Sequence, residues 1–297
     1  MTTSIYISTE NIIIASGKEL KNTVMLNSFN MTPLPSKAVV NGMVIRDDIL
    51  KSSLKKLRKN RIIPKKNVKL VIDRSTALID IIKTPILKSN TIIEHIKSTF
   101  AVAAQTRSEL IYDYSILEEK DNTFLILASA IERDLVEDYN KLFLSCGIRL
   151  SSIDIAVNSV IRFQNLYPCS NLKTFILTFV DENSLLSFLF VDGKYRFSKR
   201  YRLLNERGTA ESALEFSNFL STIMQFNKAQ GNEEQIECAY LCGLNEQEDQ
   251  LCYEIAETLG IKTDLLKNCQ SISIKPRLAT KQQEIIDNLF VVTNIIE

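Results

Sequence analysis

Residue types able to do acid–base, nucleophilic or metal chemistry are sparse in this chain. The single histidine, His95, lies between Glu94 and Ile96 in a stretch of helical periodicity. With no Cys or Asp at ligand spacing around it, it reads as a structural side chain rather than a general base or metal ligand. No Ser–His–acid or Cys–His arrangement can be built except on His95 itself. Six cysteines (Cys146, Cys169, Cys238, Cys242, Cys252 and Cys269) are irregularly spaced. The two-residue spacing of zinc sites is missing, so buried reduced thiols are expected rather than a metal centre. Neither GxxxxGK[ST] nor GxGxxG occurs, which excludes the P-loop and dinucleotide phosphate cradles. Two short polar turns join expected strands. One is Ser8-Thr9-Glu10, and the other is Asp181-Glu182-Asn183, followed by Ser184. Neighbouring carboxylates of the second kind can hold a magnesium ion, but without a metal they repel an anion.

The elements around these turns follow from periodicity. Ser4 to Ser16 is two short β runs joined by Ser8-Thr9-Glu10-Asn11, and Gly17-Lys18 reads as the next turn. Asn30 to Ser36 reads as a loop, and Asn41-Gly42 begins another turn. Asp47 and Asp48 are candidate N-caps for a helix to about Asn60 with a Leu50/Leu54/Leu57 stripe. Strands are expected at Val68–Asp73, Ala77–Lys83, Tyr112–Glu118 and Thr123–Ala130. Between the second and third lies a helix capped by Ser89 or Asn90. Helices follow at Glu132–Ser145 and Asp154–Tyr167. From Leu172 to Leu203 the chain reads as a three-stranded meander. Its first link is Asp181–Ser184, its second is the Asp192-Gly193 hairpin turn, and Tyr195, Phe197 and Tyr201 share one face of its last strand. Thr209 caps a helix to about Lys228. Cys238–Cys242 is a strand ending at Gly243. Glu246–Leu259 is a helix closed by Gly260, and Lys281–Ile296 is a terminal amphipathic helix.

The 297 residues are 45% hydrophobic and 24% charged, enough for a core of one large or two ordinary domains. A net charge of +1 gives no global field towards nucleic acid or membrane. Charge is nonetheless uneven: ten Lys or Arg against two Asp lie between Arg46 and Lys69. That patch suits an acidic partner or an anionic membrane surface, or else a solvated helix face; the near-neutral total favours the last. No signal peptide or run of 18 apolar residues is visible, so a cytoplasmic protein is expected.

Between about residues 40 and 265 the segments NGMVIRDDILKSSLKKL, IIPKKNVKLVID, LIDIIKTPIL, LIYDYSIL and TFLILASAIERDLVEDYNKLFLSCGI follow one another, and in this order the chain resembles the PilM family, the actin-like cytoplasmic proteins of type IV pilus assembly. The resemblance rests on a series of segments in order. NGMVIRDDILKSSLKKL is similar to the family's glycine-valine-x-aspartate helix start, and IIPKKNVKLVID with LIDIIKTPIL to its strand pair ending in proline. LIYDYSIL and TFLILASAIERDLVEDYNKLFLSCGI resemble its tyrosine strand, next strand and glycine-closed helix, before the meander. Cytoplasmic domains of type II secretion L-type proteins are related and match nearly as well.

The resemblance implies an α/β, actin-like (ribonuclease H-like) two-lobe fold with a small inserted α+β subdomain. The implied division is residues 1–74 and 122–168 for the first lobe, 75–121 for the insertion, 169–280 for the second lobe, and 281–297 for a helix packing on the first lobe. Family members usually bind ATP between the lobes and hold the N-terminal tail of the membrane protein PilN in a groove. By analogy that groove involves Asn41, Gly42, Arg46, Asp73, Arg74 and Lys83. Other platform or motor proteins are implied as partners, with membrane contact only through partners and no nucleic acid.

The chain departs from the family at the nucleotide. The first phosphate loop, normally Asp-x-Gly, is Ser8-Thr9-Glu10; the second falls on Asp181, Glu182 and Asn183; the adenosine loop keeps only Gly243. Missing glycines and added carboxylates disfavour a triphosphate. The expectation is a scaffold without ATP hydrolysis and without cofactor. The alternatives are an ATP switch in which Asp181, Glu182 or Glu10 organises magnesium, or an FtsA-like membrane filament protein. The terminal helix speaks against the latter, because Glu284, Asp287 and Glu297 outnumber Lys281.

Overall fold

The computed structural model describes residues 1–20, 23–105, 108–166, 174–231, 235–248, 250–267 and 272–296. Tyr167, Cys169, Leu172, Cys269 and Glu297 lie outside them. The strands and helices in chain order are β1 (Thr2–Ile7), β2 (Asn11–Leu20), β3 (Thr23–Pro33), β4 (Val39–Val40), β5 (Met43–Val44), α1 (Asp47–Lys59), β6 (Val68–Ile72), β7 (Leu78–Pro85), α2 (Ser89–Ala104), β8 (Leu110–Lys120), β9 (Thr123–Glu132), α3 (Arg133–Ser145), β10 (Leu150–Ile155) and α4 (Ala156–Leu166). They continue with β11 (Phe175–Asp181), β12 (Ser184–Val191), β13 (Lys194–Arg202), α5 (Ala210–Ala229), β14 (Cys238–Cys242), α6 (Leu251–Leu259), β15 (Lys262–Leu265), β16 (Ile272–Ile274), α7 (Gln282–Asp287) and α8 (Leu289–Thr293). One sheet has the order β10-β6-β1-β2-β3-β16, a second β13-β12-β11-β14-β15, and a third β7-β9-β8. The chain forms two compact units: the first holds Met1–Ser4, Ile13–Met31 and Ser159–Glu297, the second Ile5–Ile12 and Thr32–Asn158.

In the first unit, β11 is buried on both faces from Phe175 to Val180, as an inner strand must be, and its one polar residue there, Thr178, shares a hydrogen bond with Ser187. One face, through Ile176, Val180, Leu185 and Leu189, packs on Phe216, Phe219, Leu220 and Ile223 of α5 and Ile255 of α6. The other carries aromatic rings: Phe179 meets Phe188 at 6.0 Å and Phe290 of α8 at 5.4 Å between centroids. The meander thus forms where its residues place it, with one correction. Tyr195 does not share a face with Phe197 and Tyr201. The register shifts between Leu189 and Phe190, so Phe190 pairs with Tyr195 while Leu189 pairs with Phe197. This bulge at Arg196 turns Tyr195 onto Phe188 and Phe190, whereas Phe197 and Tyr201 stack on Phe226 and Phe219 of α5.

Helix α5 starts as expected: the Thr209 hydroxyl accepts the Ser212 N–H at 3.2 Å and the Ser212 hydroxyl accepts the Thr209 N–H at 3.2 Å. Four other expectations change. Asn30–Pro33, read as the start of a loop, is the end of β3. Gly17-Lys18 is not a turn; β2 runs through it, and the Met25 carbonyl oxygen lies only 2.6 Å from where a Cβ of Gly17 would stand. The helix expected from Glu246 is a short 3-10 turn at Glu246–Glu248 before α6, because Asn245 Oδ1 accepts the Gln247 N–H at 2.9 Å and Glu248 turns inward. The terminal helix is two helices broken at Asn288, whose side-chain amide donates to the Glu284 carbonyl at 2.8 Å. Asn294, just beyond α8, donates to the Ser4 hydroxyl at 3.1 Å.

In the second unit, α1 buries Leu50, Leu54 and Leu57. Asp47 and Asp48 occupy its first turn rather than its cap, ion-paired to Lys51 and Arg46, where the helix dipole favours acids. Likewise Ser89 opens α2 as its first helical residue, with Lys88 at the cap position. Strands β7, β9 and β8 form an antiparallel sheet covered by Ile92, Ile96 and Phe100 of α2. Strand β9, beyond residue 121, is its middle strand.

Candidate functional site

The parallel pairing of β11 with β14 sets Phe179 beside Cys242, so the turn after β11 and the loop after β14 leave the sheet at the same end. In open α/β sheets ligands sit at such strand ends. Gly243 has φ 82°, and a Cβ there would collide with the Val180 carbonyl oxygen. Only glycine lets these two loops approach.

That strand end is held by a residue the sequence reading missed. Arg207 precedes the α5 cap. Its Nη1 donates to the Glu182 carbonyl at 3.2 Å and its Nη2 to the Gly243 carbonyl at 2.8 Å. Its Nε donates to Glu248 Oε1 at 2.8 Å, and Nη2 also contacts Glu248 Oε2. The side chains of Arg207 and Glu248 are 14% and 2% exposed, so the pair is buried. Glu248 Oε2 also accepts the Asn245 N–H at 2.9 Å. The Gly243 N–H donates to Asp287 Oδ1 at 2.9 Å, and Gln283 donates to the same oxygen. Burial pushes the Asp287 carboxyl above its ordinary value, against these two hydrogen bonds. A cavity of about 190 Å³ beside it is lined by Leu244, Glu248, Cys252, Leu265, Gln283 and Asp287. The guanidinium is therefore spent on two carbonyls and a carboxylate, and the Gly243 N–H on another carboxylate.

The first loop lies in the second unit and is also closed on itself. The Ser8 hydroxyl accepts the Glu10 N–H at 3.2 Å and the Asn11 N–H at 3.0 Å, while the Ser8 N–H donates to the Asn11 carbonyl at 2.9 Å. A serine that caps its own turn takes the N–H groups that would otherwise face a phosphate. Thr9 and Glu10 are the turn residues between β1 and β2.

The proposed groove residues divide. Asn41 and Gly42 form the β4–β5 turn with φ 48° and 71°. Asn41 pairs with Ser75 through both amide groups, at 2.7 and 2.9 Å, and its carbonyl accepts from Arg74 at 3.2 Å. The Gly42 carbonyl accepts from the Tyr139 hydroxyl at 3.0 Å. Burial pushes the Tyr139 hydroxyl far up, keeping it a neutral donor. Arg74 and Thr76 both reach Glu132 Oε1, at 3.3 and 2.9 Å. Burial opposes ionisation of Glu132, but its own backbone N–H with the Arg74 and Thr76 donors outweighs it and holds the carboxyl below its usual value. Asp73 abuts the turn, its carbonyl 2.7 Å from where a Cβ of Gly42 would stand. Asn41, Gly42, Asp73 and Arg74 are thus one cluster. Arg46 is exposed and paired with Asp48 at the start of α1. Lys83 is near the far end of β7, about 17 Å from Leu78 at a strand rise of about 3.3 Å per residue, by a cavity with Glu118, Lys120 and Leu125. The structure does not bring it to the turn. In the sequence Tyr139 falls at helical spacing with Leu135, Leu142 and Phe143; Glu132, Arg207 and Glu248 carry no spacing that announces burial.

Among the described residues no group of three or more His, Cys, Asp or Glu side chains is placed to hold a metal ion. Cys146, Cys238, Cys242 and Cys252 are free thiols, and His95 is exposed on α2. No described helix is long and apolar enough to cross a membrane.

No protein-family model matches the chain, and no curated protein matches it. Solved structures do. A chain of a PilM-PilN type IV pilus biogenesis complex matches with a TM-score of 0.79 over 99% of this chain and 96% of that one, at 15% identity. A Bacteroides thetaiotaomicron protein with an actin-like ATPase fold and unknown function matches at 0.56 over 98% and 95%, at 13% identity. The chain therefore has an actin-like ATPase fold, the α/β fold implied by its sequence resemblance to PilM, and shares it along nearly its whole length with a chain of the PilM–PilN complex.

Proposed function

We propose that the protein is a cytoplasmic component of a type IV pilus or related secretion assembly complex at the inner face of a membrane. It works by holding the N-terminal tail of a PilN-like membrane protein, not by hydrolysing ATP. The observation that carries the assignment is the near full-length likeness to a chain of the PilM–PilN complex. Fold alone does not fix function, so the loops supply the second half of the argument. In each unit, the groups that could meet a triphosphate are occupied internally. Ser8 takes two backbone N–H groups, Arg207 is neutralised by Glu248, and the Gly243 N–H is held by Asp287. Freeing Arg207 for a phosphate would leave the buried Glu248 carboxylate unpaired, which is costly.

The tail is proposed to dock near the Asn41–Gly42 turn, where Arg74, Ser75, Thr76 and Glu132 form a fixed polar frame. An extended peptide would bind there by main-chain pairing along a strand edge, with its side chains giving specificity. The test is direct binding of the synthetic N-terminal tail of the PilN-like partner to the purified chain. Micromolar binding weakened by Arg74→Glu and Arg46→Glu supports the reading. Tail binding unchanged in both variants moves the groove elsewhere, and no binding to the parent protein removes the assignment.

A further inference from the structure

One surface of the second unit is left unexplained by the tail-binding reading. The chain has no Asp or Glu from Ile49 to Ile72, nor from Tyr139 to Ile153. The fold brings these two acid-free stretches together. Cys146 at the end of α3 donates its thiol to the Lys51 carbonyl in α1, and β10 pairs in parallel with β6. After α1 the chain turns back over the helix end, with the Ile62 N–H donating to the Leu57 carbonyl at 3.0 Å. The Arg149 N–H then donates to the Lys65 carbonyl at 2.9 Å, tying the loop after α3 to the loop after α1. Lys55, Lys56 and Lys59 on α1, with Arg61, Lys65, Lys66 and Arg149, are all exposed. None makes an ion pair among the described residues. Leu144, 57% exposed, stands at the end of α3 close by.

Fields from unpaired like charges add, and no acid within either stretch cancels them. We propose that this basic end of the second unit binds an anionic lipid surface directly. Five of the seven cations are lysines, compact charges without the guanidinium fork that reads defined phosphate or carboxylate geometry. They suit a diffuse negative headgroup layer better than a single acidic peptide. The first stretch has no aromatic residue, and the two in the second, Tyr139 and Phe143, are buried, so none is available to stack a nucleobase. Surface cations of this kind are attracted to anionic leaflets within a Debye length. The inference does not need the partner tail. It adds a direct contact where the sequence resemblance implies contact only through partners.

The test is sedimentation of the full chain with vesicles of phosphatidylglycerol and phosphatidylcholine, and with phosphatidylcholine alone, at about 0.1 M and 0.5 M salt. Binding to the anionic vesicles only, and at the lower salt only, is expected. Lys55→Ala/Lys59→Ala/Lys66→Ala should weaken it on the order of 100-fold, at about 5-fold per cation. A control, Lys120→Ala/Lys228→Ala/Lys267→Ala, should bind as the parent does. Exposed lysines exchange for alanine without harm to a helix, and an unchanged circular dichroism melt will show that the variants fold. Equal binding to neutral vesicles, no binding to anionic vesicles, or a triple variant that binds like the parent overturns the proposal. So does a chain that ignores vesicles yet is retained by immobilised polyglutamate, which would assign the surface to an acidic protein.

Discussion

Replacing Arg207 by alanine is the sharpest perturbation of the closed strand end. The guanidinium neutralises Glu248, whose side chain is 2% exposed, and it holds the carbonyls of Glu182 and Gly243. Arg207→Ala leaves a buried carboxylate with the Asn245 N–H as its remaining donor of those described above. Breaking one partner out of a buried pair costs about 3–5 kcal/mol. With a urea m-value of about 3 kcal/mol/M, the unfolding midpoint should fall by about 1–1.7 M. Arg207→Lys keeps the charge but cannot span two carbonyls and a carboxylate, so it should lose a large part of the same stability. Arg207→Met/Glu248→Leu removes both charges and should recover most of the loss, because an apolar pair needs no solvation. Urea titration followed by circular dichroism gives all three midpoints. An Arg207→Ala midpoint within about 0.3 M of the parent, equivalent to about 1 kcal/mol, refutes the reasoning. A double variant as unstable as the single one refutes it too.

Four further outcomes are expected. Gly243→Ala meets both a collision with the Val180 carbonyl and φ 82°, so it should destabilise by about 2–4 kcal/mol, read as a lowered melting temperature. Arg74→Glu sets like charges beside Glu132 at a side chain 11% exposed, and should cost about 3–5 kcal/mol as well as tail binding. Arg46→Glu, on a fully exposed pair, should weaken tail capture and leave the melt unchanged. The depressed Glu132 carboxyl contributes stability that is present above the unfolded value of about 4.3 and is lost as pH falls through the lower folded value. The stability gap between parent and Glu132→Gln should therefore be full at pH 6 and close towards pH 3 in urea titrations; a gap independent of pH contradicts the assignment.

Much of the fold was legible because its signals are local. The Asp192-Gly193 turn, the Thr209 cap, the Gly260 stop and the leucine stripe of α1 each depend on residues close in sequence. What escaped depends on residues far apart. The bulge at Arg196 arises from how β13 fits β12, and strict alternation cannot reveal it. Gly17 looks like a turn but is a strand residue, because a neighbouring strand passes too close for any side chain. The absence of glycine from the turns at Ser8–Glu10 and Asp181–Asn183 was plain in the sequence. The pair that closes the strand end was not: Arg207 and Glu248 lie 41 positions apart, and each alone resembles a surface charge. Lys83 was assigned by analogy to the same groove as Asn41, as a strand end, and much of the length of β7 lies between it and Arg74.

The central claim is that this actin-like chain has its phosphate-binding groups occupied from within. It is tested most directly by calorimetric titration of the purified protein with ATP and magnesium, up to millimolar nucleotide, with thermal stability followed in parallel. The account predicts no binding heat and no rise in melting temperature. Micromolar binding with a matching stabilisation would contradict it.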